Sequence, residues 1–506
     1  ARSDFREGEY SAIMEPDRSI PPPGPRTKQA PAAIRPQSIV SSTILSPTMT
    51  SHQTIVVELG SSRIKIGFAG ESKPRRVLND NSASGGSSTS WTVHDVNDGM
   101  SSGARKWPSF FQYVSSSSPL STSTTSSSPH TNAVVGSTAF NVYEWEKTLY
   151  PLFSHILTSI LFIQRPSRHR ILLLISDFFP PRNFSEALHR VLLDYLKVGG
   201  VWLVNGGVYE GVYHLIHGMP ATLKHSMTRP QAHLLVDIGM YEARVVASVV
   251  GSSTLGDTCQ TTTSGYKSFL CQVMQNYQHF DDDSLEPESK SPIYTLEDAN
   301  AIVQAWAVSS SSSFDSLPDS NTISVELPSR AHRQQTKVDT GNTIQVSIQP
   351  LLKAFHHIYL DYTNPSSLIF AMLTCVMKCP IDYRKAVLQN TILVGGGSVA
   401  LRHFCIPRDI KSAGQSCQGF GRQLEIAMRD ACGISNDESM DDDTTPIAKQ
   451  RFQSLRGAVN GCVNQDGGNI IGGINIQYPD PFAADLVAWL GGSIMGTLGY
   501  MQYRKK

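Results

Sequence analysis

The sequence predicts an α/β protein built from two related lobes, and three observations predict it. Short apolar runs alternate with longer amphipathic ones along most of the chain, a strand-turn-strand pattern recurs, and three glycine turns each follow a strand. At 506 residues the chain exceeds one ordinary domain, and a hydrophobic share of 40% is enough for a sizeable core. Lysine plus arginine equals aspartate plus glutamate at 43 each, so no global charge draws the protein to nucleic acid or to an anionic membrane, and neither is expected as a direct partner.

In chain order, residues 1-52 contain "SIPPPGPRTKQAPAAIRP", show no sustained apolar period and no secretory signal, and are expected to form a disordered N-terminal extension. The missing initiator methionine suggests a processed or truncated start. A first lobe over 53-230 opens with "TIVVELG" and "IKIGFAG" as paired strands. A Ser/Thr-rich insertion follows at about 79-133, with "SSSSPLSTSTTSSSP" at its centre. The helix "EWEKTLYPLFSHILTSILFI", the strand "HRILLLIS", the helix "FSEALHRVLLDYL" and the strand "GVWLVNG" complete the lobe. The second lobe, 231-470, repeats this order with "HLLVDIG", "EARVVASVV", the helical "SLIFAMLTCVMKC" and the strand "NTILVGGG". Low-complexity insertions fall at about 309-321 and 433-468, the latter containing the acidic "SNDESMDDDTTP".

The closing segment, 471-506, contains "FAADLVAWLGGSIMGTLGYM", about as long as a membrane span and with Gly492 and Gly496 at G-x-x-x-G spacing. Asp485 and the glycine content favour a buried C-terminal segment instead. The eight cysteines form no repeated C-x2-C pair. Cys375 and Cys379, one helical turn apart in an apolar run, read as free core thiols of a reducing compartment rather than as metal ligands.

Placing "IVVELGSSRIKIG" over "LLVDIGMYEARVV" aligns Glu58 with Asp237, Gly60 with Gly239 and Lys65 with Arg244. A hairpin whose first strand ends acidic-x-Gly can present backbone N–H groups to phosphate, because glycine allows close approach. In the first copy Ser61 adds a hydroxyl, Lys65 a cation, and Glu58 a carboxylate able to hold a metal-bound water. The third turn, Gly395, Gly396 and Gly397, lies between a strand and a helix start, with Ser398 as the expected N-cap. Any one of these turns alone also reads as an ordinary tight loop; the case rests on three in register with the repeat.

At these residues the sequence resembles the actin family. "VELGSSRIKIGFAGESKPR" is similar to the first actin phosphate loop, "LLVDIG" to the second, "CPIDYRKAVLQNTILVGGGSVALRHF" to the stretch entering the adenosine loop, and "VAWLGGSIMGTLGYMQ" to the C-terminal segment. The resemblance spans about 54 to 78, 141 to 277, 343 to 404, 420 to 431 and 472 to 503. It implies an actin-like, ribonuclease H-like two-lobed fold with duplicated phosphate-loop hairpins, long disordered insertions and a closing segment that returns to the first lobe. It implies nucleotide-phosphate binding by Glu58, Gly60, Ser61, Lys65, Asp237 and Gly239, with an adenosine loop at Gly395, Gly396, Gly397 and Ser398. ATP or ADP as a structural ligand, with Mg2+, and actin-like filament subunits as partners also follow from it, while no protein metal site does.

Two departures bear on activity. Actin has Asp then Gly after the second D-x-G, where this chain has Met240 and Tyr241. The glutamine that orients the attacking water in actin corresponds to about Gly206, and "NGGVYEG" contains no Gln. Phosphoanhydride hydrolysis depends on positioning water and metal, so hydrolysis is expected to be absent or very slow and no catalytic residue is assigned. Glu297, in "EDANAIVQAWAV", reads as a solvated helix residue. The tract between Gly70 and Tyr143, which in actin holds the small subdomain that extends the filament, cannot bury an equivalent core here. The expectation is a filament-terminating structural protein; the alternatives are a nuclear actin-related module of a chromatin-remodelling complex and an active ATPase of the actin superfamily.

Overall fold

A computed structural model describes residues 53–60, 62–80, 90–93, 107–108, 141–178, 180–218, 232–249, 253–282, 295–312, 322–327, 343–406, 418–434, 451–460 and 474–498. The N-terminal extension, Ser61 and most of the three expected insertions lie outside these residues.

The first sheet begins with β1 (Gln53–Leu59), β2 (Arg63–Phe68) and β3 (Arg76–Asp80), an antiparallel set continued by β4 (Ser90–Val93) and β5 (Trp107–Pro108). Helix α1 (Val142–His155) starts at a capping box between Asn141 and Glu144 and runs on as a π turn to Ile160. It leads to β6 (His169–Ile175), parallel to β1, and α2 (Arg182–His189) leads to β7 (Gly200–Val204), parallel to β6. The strand order is β5-β4-β3-β2-β1-β6-β7. β1 and β6 are buried runs because helices cover both faces of this part of the sheet.

Helix α3 (Gly207–Gly218) connects to the second sheet: β8 (Ala232–Ile238), β9 (Ala243–Val249) and β10 (Ser253–Thr262), again antiparallel. Next come α4 (Tyr266–Asp282), α5 (Leu296–Ser312), the paired β11 (Thr322–Glu326) and β12 (Thr343–Ser347), α6 (Gln349–Phe355), α7 (Leu368–Lys378) and α8 (Ile381–Gln389). They lead into β13 (Thr391–Val394), parallel to β8. After α9 (Gly396–Leu401), the short β14 (Cys405–Ile406) and β15 (Gln418–Gly419), α10 (Phe420–Ala431) and α11 (Arg456–Asn460), β16 (Ile476–Gln477) pairs in parallel with β13, and α12 (Val487–Leu498) closes the described chain. This sheet has the order β10-β9-β8-β13-β16. Strand for strand it repeats β3-β2-β1-β6-β7, so the short sequence repeat marks a duplicated topology.

The insertions differ from expectation in three places. β4 and β5 lie inside the 79-133 tract, where "WTV" and "WP" are strand formers among the serines and Trp91 pairs with Trp107. Helix α5 runs on to Ser312, past the expected start of the 309-321 insertion. Within 433-468, Phe452, Leu455 and Val459 are buried in the second lobe's core, an apolar face at helical spacing hidden in an acidic, low-complexity stretch. Cys375 and Cys379 are buried in the same core, and the Cys379 thiol donates to the Cys375 carbonyl at 3.3 Å.

Helices α3 and α12 lie between the two sheets. Val208, Tyr209, Val212 and Leu215 of α3, with Val487 and Ala488 of α12, pack on Leu235, Val246, Ile392 and Val394 of the second sheet. From the other face of α12, Trp489 and Met495 pack on Val56, Leu172, Leu174 and Val204 of the first. Trp489 is fully buried and its indole N–H donates to the Val56 carbonyl at 3.3 Å. The apolar closing segment is therefore an internal wedge; among the described residues no helix is long and apolar enough to cross a membrane.

The two helices touch backbone to backbone. A Cβ on Gly491 would overlap the Gly211 carbonyl, and one on Gly211 would overlap the Ala488 carbonyl. Gly491→Ala is expected to lower stability by about 3 kcal/mol, the upper range of overpacking in a rigid core. Gly457→Ala in α11, where an added methyl meets nothing within 4 Å, should change stability by less than about 1 kcal/mol and in the stabilising direction. Urea unfolding of the two variants checks the contrast; equal effects would remove the crossing as a constraint.

Candidate functional site

The two sheets present their first hairpins to one cleft, and the hairpins are built alike. In the first, Glu58 on β1 pairs in register with Lys65 on β2; in the second, Asp237 on β8 pairs with Arg244 on β9. Each turn closes with the same hydrogen bond, Gly60 N–H to the Arg63 carbonyl and Gly239 N–H to the Glu242 carbonyl, both 2.9 Å. These two glycine N–H groups are thus used inside their own turns.

The third turn reaches the same place through the parallel pairing of β13 with β8, which sets Val394 beside Asp237. The next residue, Gly395, has φ +91, a conformation open to glycine, and lies against the Asp237 carboxylate. Gly397 packs on Ile238. Ser398 is not the N-cap: that position is Gly395, and the buried Ser398 hydroxyl donates back to the Gly395 carbonyl at 2.8 Å. A glycine turn that already places its cap residue at positive φ leaves the serine one turn further along the helix.

Charges crowd the cleft floor. Lys65 Nζ lies 2.5 Å from Glu58 Oε1, both side chains buried. The Arg244 guanidinium is bound by Glu242 at 2.7 Å and reaches Asp177, just beyond β6 of the first sheet, at 3.7 Å. Arg63 at the β2 entrance lies 2.8 Å from Asp485, on the segment leading into α12. Burial opposes the charge of Arg244, but Glu242, Tyr209 and Asp177 outweigh it and hold the guanidinium more firmly protonated than usual. Burial, and then the charge of Glu58, lift Asp237 from its ordinary 3.8 to about 6 against the pull of Arg244 and Lys65. Tyr209, stacked on Phe178, is pushed well up by burial and then by Asp237, and its hydroxyl has no hydrogen-bond partner among the described residues.

The cleft has two compartments. Between the hairpins the open space is small, about 80 Å³. Beside it, past Met240 and Arg63, opens a cavity of about 510 Å³ whose wall includes Tyr266, Lys267, Glu297, Asn300, Gly396 and Gly397. The larger one fits a nucleoside in volume and in its mix of glycine backbone, aromatic and polar groups. Glu297, read from sequence as a solvated helix residue, stands in this wall. The smaller compartment is a poor match for a triphosphate with its metal, because each of its three cations is already paired with a carboxylate of the chain. Among the described residues no group of three or more His, Cys, Asp or Glu side chains is arranged to hold a metal ion.

The structure thus brings together Glu58, Gly60, Lys65, Asp237, Gly239, Gly395 and Gly396 around the smaller compartment, with Gly397 on the larger one; Ser61 lies outside the described residues. Sequence reasoning missed Arg63, Asp177, Glu242 and Asp485. Arg63 and Glu242 are equivalent in the repeat alignment, one offset not compared. Asp177 follows a buried parallel strand, where crevice residues of such sheets gather. Asp485 is 422 positions from Arg63, and nothing local announces that pair. Gly206, at about the position aligned with the water-orienting glutamine, has φ +62 and lies under the Phe178 ring, so a larger residue there would be strained and would have to displace the ring.

No protein-family model matches the chain. It is similar to Actin-related protein 10 of Dictyostelium discoideum, 22% identical over 378 residues that cover 69% of this chain and 71% of that protein. That distant likeness, with the duplicated topology, supports a place in the actin-related family and the actin-like two-lobed fold.

The raised Asp237 makes stability depend on pH. A carboxyl whose folded pKa lies above its unfolded value contributes most below the unfolded value, and that contribution is lost as pH rises through about 6. Between about pH 5 and pH 7 the wild type should lose about 1.3 kcal/mol relative to Asp237→Asn, measured by parallel urea titrations. A pH-independent difference would show that Asp237 titrates normally.

Proposed function

We propose that this chain is a non-catalytic actin-related subunit that caps the pointed end of the actin-like minifilament of dynactin, in the cytoplasm, and so supports dynein-driven transport along microtubules. The observation that carries the reading is the asymmetry between the lobes. Between β10 and β13 the described residues of the second lobe form five α-helices, α4 to α8, and the strand pair β11–β12. Between β3 and α1 the first lobe has a Ser/Thr/Gly/Pro-rich tract in which only β4 and β5 are described. A head-to-tail polymer needs two complementary faces on every subunit, and a chain that keeps one and replaces the other accepts a neighbour without offering a seat to the next.

Supporting features are the "CPIDYRK" and "VAWLGGSI" phrases, the likeness to Actin-related protein 10 and the composition of the cleft. Ile381, at the start of α8 within "CPIDYRK", is 75% exposed, an apolar side chain available to a filament neighbour. The C-terminal wedge contributes through the fold: Trp489 is buried, and Leu490 and Ile494 are packed against the interlobe core. Met240 and Tyr241 after the second D-x-G, and Gly206 at about the position where the resemblance puts the water-orienting glutamine, support the non-catalytic part.

The test images labelled protein on short actin-like filaments whose two ends are distinguished, alongside co-purification from cells. Label at one end only, no growth past it, and recovery with dynactin subunits are expected. Side labelling, incorporation with continued elongation, or recovery with a chromatin-remodelling complex would overturn the capping role. ATP turnover at the level of ordinary actin, abolished by Asp237→Ala, would overturn the non-catalytic one.

A further inference from the structure

We infer that the phosphate end of the cleft is filled by the chain's own carboxylates, which hold Lys65, Arg244 and Arg63 where an anionic ligand would, so that ion pairs rather than a metal-bound triphosphate tie the two lobes together. The inference rests on the non-catalytic reading of the same cleft and goes beyond it, because loss of hydrolysis alone leaves room for a tightly bound nucleotide.

Three observations carry it. First, the cations are not spare. Lys65 is taken by Glu58, Arg244 by Glu242 and Asp177, and Arg63 by Asp485, at 2.5 to 3.7 Å. Second, two of these contacts join separate parts of the fold. Arg244 on the second sheet meets Asp177 of the first, whose backbone carbonyl accepts from Gly206 N–H at 2.7 Å at the entrance to α3. Arg63 on the first sheet meets Asp485, next to Ala484, whose carbonyl accepts from Gly395 N–H at 3.1 Å on the second lobe's glycine turn. Third, what remains repels anions. The walls of the 80 Å³ compartment carry Glu58, Asp237, Glu242 and Asp485 against three cations, and Glu58 Oε2 is buried without a hydrogen-bond partner among the described residues. A triphosphate entering there must break the pairs and then face the freed carboxylates at short range in a poorly screened site.

The pairs therefore act as a permanent internal ligand. Closure of the lobes does not depend on what the solution supplies, and the neighbouring 510 Å³ cavity remains open to an uncharged nucleoside.

The experiment uses the purified full chain. Nucleotide is extracted and quantified, and thermal unfolding is followed with MgATP, MgADP, inorganic pyrophosphate, adenosine or EDTA. A ligand present at about 100-fold over its dissociation constant shifts the transition measurably, so its absence is informative. The expected results are no stoichiometric nucleotide in the extract and no shift with MgATP, MgADP, pyrophosphate or EDTA. A shift with adenosine alone also supports the inference. The double variant Asp177→Asn, Asp485→Asn keeps the shapes but frees part of Arg244 and all of Arg63, and it should gain a pyrophosphate-dependent shift that the wild type lacks. Bound nucleotide in the wild type, or stabilisation by MgATP that EDTA reverses, overturns the inference whether or not the variant folds; so does a folded variant that stays indifferent to pyrophosphate. None of these outcomes touches the end-capping assay, which fails or succeeds by itself.

Discussion

The close crossing of α3 and α12 is the constraint on which the rest of the molecule depends. Two sheets that each bury both faces need helices between them, and two helices fill that space here. Ordinary side chains at the crossing would hold the helix axes 8–10 Å apart. With Gly211 against Gly491 the backbones meet instead, the sheets close on the pair from both sides, and Arg244 of the second sheet comes within ion-pair range of Asp177 beyond β6 of the first. Trp489 then closes the first sheet's side, spending its single donor on the Val56 carbonyl. The charge cluster of the cleft is therefore a consequence of helix packing some distance below it.

Within that frame the hairpins show why charge and register are inseparable. Glu58 with Lys65 and Asp237 with Arg244 are seven residues apart in each copy, and the antiparallel register makes them cross-strand neighbours on one face. Desolvating such groups costs more than their attraction returns unless the remaining lone pairs and protons are also met. Arg244 is met by two carboxylates, while Glu58 keeps one oxygen without a partner among the described residues and Asp237 retains a proton to higher pH than a free carboxyl. Removing a single partner would leave a buried charge uncompensated, so the cluster holds as a set.

How far the sequence could be read follows from range. The strands were legible because their apolar runs are local, and the duplicated topology because two hairpins share one set of offsets. The charged residues of each hairpin were legible for the same reason, but as groups for a ligand; that Glu58 takes Lys65 was not read. The long-range pairs were not: Arg63 meets Asp485 and Arg244 meets Asp177 only after the sheets have stacked, and no spacing in the chain encodes that. The buried run of Phe452, Leu455 and Val459 was masked by the acidic stretch that precedes it, an average that hides a short helical period. Ser398 was misplaced because the cap depends on the dihedral of Gly395, which composition does not report.

An actin-type cleft joins a ligand's presence to the angle between lobes, since a group bound by both hairpins favours the closed form by its differential affinity for the two states. A growing filament can use that coupling to let subunits change state after assembly. A terminal subunit has no such need: it must present one constant face to its neighbour, and variation in lobe angle would only weaken the match. Ion pairs contributed by the chain itself have a fixed local concentration and no off-rate into solution, so they favour one closed form under all ligand conditions. On the capping reading, the replacement of the phosphate site by internal pairs and the loss of the second polymer face therefore serve the same end, a subunit with a single shape at the point where assembly stops.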